Sequence, residues 1–230
     1  MDGLAAWVSQ LQFGRLTELL VTAAAAVLCI CFHETCHGLA ALMLGDPTAK
    51  RMGRLSLNPL KHIDPVGLVM LVVAKFGWAK PVPIDTRYFR NPRAGMAITA
   101  LAGPLSNIFL SAVAAAGYTV SMFYAIEYEL VFLETFAEFF YIVFYLSAGL
   151  AVFNLLPVPP LDGSKVLFAL LPERAWLKLM QYERYGMLAM MVLLLTGVLD
   201  TPLNILRDGL TGFLAPISGW TLELLLTLHS

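Results

Sequence analysis

Two stretches of this 230-residue chain, Ala94 through Ile126 and Phe139 through Leu161, contain no Asp, Glu, Lys or Arg. A helix rises about 1.5 Å per residue and the hydrocarbon core of a bilayer is about 30 Å thick, so roughly 20 apolar residues suffice to cross it. Both runs are long enough. The whole chain is 59% hydrophobic and 13% charged, whereas about a quarter of the residues of an average soluble domain are charged. The expected fold is therefore an all-α, multi-pass membrane protein: a helical bundle of about four to six spans. With a net charge of -1 and no basic domain, a nucleic-acid partner is excluded. The N-terminus has Asp2 and no basic cluster ahead of its apolar stretch, which is not the layout of a cleavable signal peptide, so the first span is expected to be retained. Cys29, Cys31 and Cys36 are odd in number and crowded into one apolar stretch, which argues against a disulfide framework.

Along the chain, a first span is expected from about Leu19 to Leu44, ended by Gly45-Asp46-Pro47. From Thr48 to Arg93 prolines and glycines multiply, and the apolar stretch Val66–Ala74 is too short to cross. This region reads as an interfacial or re-entrant element, with or without short strands, packed on protein or lining a wet cavity. Ala94–Ile126 is the second span, expected to kink or break at Gly103-Pro104. Phe139 to about Leu156 is the third, stopped by Pro157, Pro159 and Pro160, with a short helix from Asp162-Gly163-Ser164 through Leu170. Gly186–Leu199 is apolar but short, and Leu210–Leu228 is interrupted by Gly212, Pro216 and Gly219.

Nine of the fifteen Lys and Arg residues lie between the first and second spans, while Glu127–Glu138 has four acids and no base. Four more bases, Lys165, Arg174, Lys178 and Arg184, follow the third span. The positive-inside bias puts 48–93 and 163–185 in the cytoplasm and 127–138 outside.

The residues that carry chemistry begin with His33-Glu34-Thr35-Cys36-His37 in the first predicted helix. Positions i and i+4 share a helix face about 6 Å apart along the axis, so both imidazoles can reach one zinc ion at about 2.0 to 2.1 Å. Glu34 then stands beside the metal as a base for water rather than as a ligand. A chance match in a chain of this size has a probability on the order of one percent or less. A carboxylate at membrane depth also costs several kcal/mol and is usually kept for function.

A catalytic zinc site usually has three protein ligands. Candidates for the third are His62, His229, the cysteines and an acid on another span. The best is Asp162, in Asn154-Leu-Leu-Pro-Val-Pro-Pro-Leu-Asp-Gly163. The proline run prevents a regular helix and lets a carboxylate turn back into the bundle. The competing role for Asp162 is to cap the helix that starts at Gly163. Topology favours the ligand, since the histidines and Asp162 both approach from the cytoplasmic leaflet.

With these motifs the chain resembles the site-2 protease family of intramembrane zinc metalloproteases. The resemblance rests on His33-Glu34-x-x-His37, on Asn154-x-x-Pro157-x-Pro159-x-Leu161-Asp162-Gly163, and on Gly77-Trp-Ala-Lys-Pro-Val-Pro83, with Leu101-Ala-Gly-Pro-Leu-Ser-Asn107 and Asn58-Pro-Leu-Lys-His62-Ile-Asp64-Pro-Val-Gly67 in support. It implies a single membrane-embedded metalloprotease domain over residues 1–230, with a three-helix catalytic core within about 19–171 and C-terminal spans over about 176–230. It further implies one Zn2+ held by His33, His37 and Asp162, and Glu34 as the catalytic base. The partners are the lipid bilayer and membrane-protein substrates with a transmembrane segment, and the expected location is the bacterial inner membrane with the active site toward the cytoplasm. Regulation through a PDZ or CBS domain is not expected.

A substrate helix hides its carbonyls in i to i+4 hydrogen bonds and must unwind before cleavage, so its backbone needs substitute partners. Asn107 and Asn154, amides in otherwise apolar spans at family motif positions, are expected to bind substrate; interhelical hydrogen bonding is the alternative. His62, between Lys61 and Asp64, reads more readily as a solvated residue or a partner of that carboxylate than as a ligand or a general acid. Cys29 and Cys36 share the face of His33 but read as small apolar filling rather than a soft metal site. The Phe and Tyr cluster from Phe132 to Tyr145 reads as lipid-facing or interfacial packing. The competing function is a membrane metal-ion transporter using His33, His37 and Asp162 as a transit site, which has no use for Glu34 as a base that is not a ligand.

Overall fold

The computed structural model describes residues 13–67, 79–172, 186 and 188–229. It is an all-α bundle whose main helices are α1 (Phe13–Met43), α2 (Pro92–Glu127), α3 (Val131–Leu155), α4 (Asp162–Leu170), α5 (Asp200–Leu214) and α6 (Pro216–His229). Four segments among the described residues are long and apolar enough to cross a membrane: Leu16–Met43, Pro92–Glu127, Val131–Leu155 and Asp200–His229, the last made of α5 and α6 together. The break expected within the C-terminal stretch is a joint at Ala215-Pro216.

Helix α2 is the centre, packing against α1, α3, α4 and α6. It starts at Pro92, whose missing N–H costs nothing in a first turn, and the Asn91 side chain accepts from the amides of Arg93 and Ala94. Its buried face repeats every fourth residue: Gly95, Thr99, Gly103, Asn107, Ser111 and Ala115. Small residues in register let helix backbones approach where burial of apolar surface gives no net drive between helices. Ser111 Oγ donates to the carbonyl of Phe144 on α3, and Ser218 Oγ on α6 to that of Ala115. Large apolar residues such as Leu105, Phe109 and Val113 face outward.

Of the kink or break expected at Gly103-Pro104, the break does not occur: α2 runs through Pro104 as one helix. Neighbouring helices in a bundle support a proline that would break an isolated helix, and Pro104 is fully buried among them.

Helix α1 is closed by Gly45 at φ 104°, a left-handed position open to glycine, with the Asp46 amide bonded to the Ala41 carbonyl. The fully buried Asp46 accepts from the backbone amides of Thr48 and Asp85, tying the start and end of the connection to the end of α1. In place of short strands, the described part of this connection has a helical turn at Thr48–Arg51, 3-10 turns at Pro59–Lys61 and Thr86–Tyr88, and one isolated antiparallel bridge between Ile63 and Ala79. Prolines 81 and 83 deny two donors to any ladder there. The apolar stretch Val66–Ala74 falls mostly outside the described residues, as do Gly77-Trp78 and the bases Arg174, Lys178 and Arg184. The 127–138 connection is shorter than its acids suggested, since α3 already begins at Val131 and Glu134 lies in its first turn.

Candidate metal centre

His33 and His37 stand one turn apart on α1 and are buried, at 5% and 6% exposure. Asp162, the first residue of α4, reaches them from across the bundle. His33 Nε2 and His37 Nε2 are 3.0 Å apart, and Asp162 Oδ2 is 3.2 Å from the first and 3.0 Å from the second. Donors on bonds of about 2.0 to 2.1 Å around a tetrahedral ion stand roughly 3.3 Å from one another. Three lone-pair donors converging at nearly that spacing fit a single zinc ion.

The remaining ring nitrogens decide how each imidazole is turned. His37 Nδ1–H donates to the Thr99 carbonyl at 2.7 Å. A backbone carbonyl can only accept, so this bond leaves the lone pair on Nε2, facing the cluster. His33 Nδ1 is 3.1 Å from the Asn107 side-chain amide. Gly103 lies between these partners on α2, and a Cβ there would collide with both rings. The same four-residue register that packs the bundle thus brings Thr99, Gly103 and Asn107 against the histidines.

Glu34 does not join the cluster. Its Oε2 accepts the backbone N–H of Val82 at 2.9 Å. Residues 80–82 are held beside α1 from behind, where Arg54 Nη2 donates to the Lys80 and Pro81 carbonyls at 2.7 and 3.2 Å and the Lys80 amide bonds the His62 carbonyl. Because Pro81 and Pro83 have no N–H, Val82 is the donor in that stretch, and it is aimed at Glu34. A cavity of about 160 Å³ opens onto His33, Glu34, His37, Val82, Asn154, Asp162 and Lys165.

The other candidates are spread elsewhere. The proposed cap at Asp162 is absent: Leu161 precedes α4 without a side-chain cap, and Asp162 turns to the histidines and Lys165. His62 is buried rather than solvated, with Nε2 donating to the Ser56 carbonyl at 2.6 Å, while Asp64 accepts from the amides of Val66 and Gly67. His229 packs on Phe123 and Tyr124 at the far end of α2. Cys29 is buried against Val143. The two asparagines separate: Asn154 lines the cavity and donates to the Leu150 carbonyl, whereas Asn107 is fully buried behind His33. Thr99, Gly103, Val82 and Lys165 were not singled out from the sequence. Gly103 and Val82 do sit inside supporting motifs, where Gly103 reads as half of a helix break and Val82 as loop.

The sequence pattern of peptidase family M50, the site-2 protease family, matches residues 21–198 and so covers both histidines, Glu34 and Asp162. The chain belongs to peptidase family M50. Among its relatives, the protein named "Putative zinc metalloprotease YwhC" of Bacillus subtilis is 40% identical over 182 residues, 77% of this chain and 83% of its own length. "Putative zinc metalloprotease Rip2" of Mycolicibacterium smegmatis is 30% identical over 211 residues, 86% of this chain and 76% of its own. A protein of the same name from Mycobacterium tuberculosis is 29% identical over 177 residues, 74% and 65%. No solved structure matches this M50 chain. The protein is a zinc metalloprotease with an all-α multi-pass membrane fold, and the grouping of His33, His37 and Asp162 fits a single zinc ion.

Proposed function

We propose that the protein is an intramembrane zinc endopeptidase that hydrolyses peptide bonds in or near the transmembrane segments of membrane-protein substrates. We place it in the bacterial inner membrane as one domain, with its active site toward the cytoplasm. The observation that carries this reading is a carboxylate outside the cluster, Glu34, sharing one cavity with the three converging donors of His33, His37 and Asp162. A transit site has no need of that carboxylate, and membership in a peptidase family lends the transporter reading nothing.

In this reading His33 Nε2, His37 Nε2 and Asp162 Oδ2 hold the ion, with Thr99 and Asn107 fixing the rings. When bound, zinc supplies Lewis acidity, which polarises a carbonyl and lowers the pKa of water toward about 7. With Nε2 of His33 given to the ion, its Nδ1 carries the proton, and the Asn107 amide turns its oxygen toward that N–H. The Val82 amide occupies Glu34 Oε2 and leaves Oε1 to take the proton of the attacking water. As the water oxygen bonds to the peptide carbon and the C–N bond breaks, Glu34 passes that proton to the leaving amine. Asn154, at the cavity wall, can bind backbone that an unwound substrate helix exposes. Asn107 cannot, because it is enclosed behind His33, and its role is to orient that ring.

The sidedness follows from charge. The histidines lie in the half of α1 nearest the base-rich 48–93 connection, and His37 to Gly45 is eight residues, about 12 Å of helix. The metal therefore sits within the membrane nearer the cytoplasmic face. The test is incubation of purified protein with single-span membrane substrates. Cleavage that a zinc chelator stops and added zinc restores is expected; cleavage indifferent to the chelator would sink the proposal.

A further inference from the structure

The two carboxylate oxygens of Asp162 face different partners. Oδ2 meets His33 and His37, whereas Oδ1 is 3.3 Å from Lys165 Nζ. Lys165 lies three residues along α4, and because helical side chains lean toward the N-terminus its stem carries the ammonium back over the first turn to Asp162. On a solvated helix such a pair contributes little. Here the Asp162 side chain is only 9% exposed and that of Lys165 is 31% exposed. Among the described residues lining the cavity, Lys165 is the one Lys or Arg.

We infer that Lys165 is a positioning residue of the metal centre: its ammonium engages Asp162 Oδ1 and restricts Asp162 to one ligating oxygen, Oδ2. The inference rests on the proposed role of Asp162 as a ligand. A carboxylate can bind a metal through one oxygen or both. A catalytic zinc centre keeps three protein ligands and one position for water or substrate. A second oxygen from Asp162 raises the count to five while the water stays, and crowds the position that substrate needs. A charge-assisted N–H···O bond to Oδ1 fixes the rotation of the carboxylate and occupies the lone pair a second coordination needs. The ammonium also offsets one of the two carboxylates, Glu34 and Asp162, that face the cavity. Lys165 thus keeps the substrate position open, a task that the motif residue Asp162 cannot perform for itself.

The test uses the full chain in detergent with Co2+ in place of zinc, since four-coordinate Co2+ absorbs visible light more strongly than five-coordinate Co2+. The variants are Lys165→Met, Lys165→Gln, which keeps a polar stem, and Lys165→Arg, which restores the cation. The Met and Gln variants are expected to retain one metal per chain and show clearly weaker visible absorption. Their kcat should fall about 10- to 100-fold with KM within about twofold, a loss of the size seen when the outer partner of a ligand is removed. The Arg variant should recover most of both the absorption and the rate. Wild-type spectra and kcat in the Met and Gln variants would overturn the inference, and so would loss of the metal from both, which would make Lys165 a support of binding alone. Failure of the underlying ligand assignment looks different: Asp162→Ala would then keep its full metal content, whatever the Lys165 spectra show.

Discussion

Gly103 on α2 leaves the space that the His37 ring fills on α1. The ring stands edge-on to that of His33, with centroids 4.5 Å apart, and cannot retreat without giving up its 2.7 Å bond to the Thr99 carbonyl. Gly103→Ala should therefore displace one imidazole or push α1 from α2. We expect zinc affinity, measured by competition with a chelator, to fall by at least about tenfold, as for a ligand deprived of its support. Circular dichroism should still show the helices. Wild-type affinity in Gly103→Ala would mean that the rings do not occupy this position in the metal-bound enzyme.

Glu34→Gln separates metal binding from chemistry. The amide keeps the shape of the carboxylate but cannot take a proton, and none of the three ligands is touched. Zinc content should match wild type while cleavage of a transmembrane substrate drops by about 100-fold or more, in line with the loss of a general base. Near wild-type turnover in this variant would remove Glu34 from its proposed role.

Asp162→Ala removes one of the three converging donors, so metal analysis should show clear zinc loss. Cys29→Ala and Cys36→Ala should leave zinc nearly unchanged, since Cys29 faces Val143 and neither thiol joins the cluster. The reverse pattern would point to a soft-ligand site.

Asn107 and Asn154 should part in kinetics. Asn107→Leu leaves the His33 N–H without an acceptor in a dry interior, and zinc affinity should fall about 10- to 100-fold. Asn154→Ala should keep its zinc and raise KM, because Asn154 borders the cavity and its amide donates to the Leu150 carbonyl. Equal zinc affinity in Asn107→Leu and wild type, measured by chelator competition, would contradict the orienting role.

Sidedness is accessible to labelling. Cysteines placed at Thr48 and Glu129 stand at opposite ends of the bundle, one after α1 and the other in the turn between α2 and α3. A membrane-impermeant thiol reagent applied from outside should modify the Glu129 position and spare Thr48. Reversed labelling would invert the proposed topology.

What the sequence by itself determined about this protein was whatever depends on local composition and short spacing. Charge-free runs define α2 and α3 because burying a charge in hydrocarbon is costly, and the i, i+4 repeat of His33 and His37 needs only a helix to put both rings on one face. Asp162 was legible through its motif, and the short helix from it through Leu170 matches α4. Only the tertiary structure decided what surrounds those groups. A glycine-proline pair reads as a break in an isolated helix, yet in the bundle α2 continues, and the missing side chain of Gly103 becomes room for two imidazoles. Asn107 and Asn154 look equivalent as amides in apolar spans, but α2 buries one behind His33 while the end of α3 leaves the other at the cavity. The donor to Glu34 is a backbone N–H, which every residue except proline possesses, so no side-chain pattern could single out Val82. Its place beside Glu34 depends on Asp46 and Arg54 holding a distant loop against α1, a long-range arrangement that local spacing does not encode.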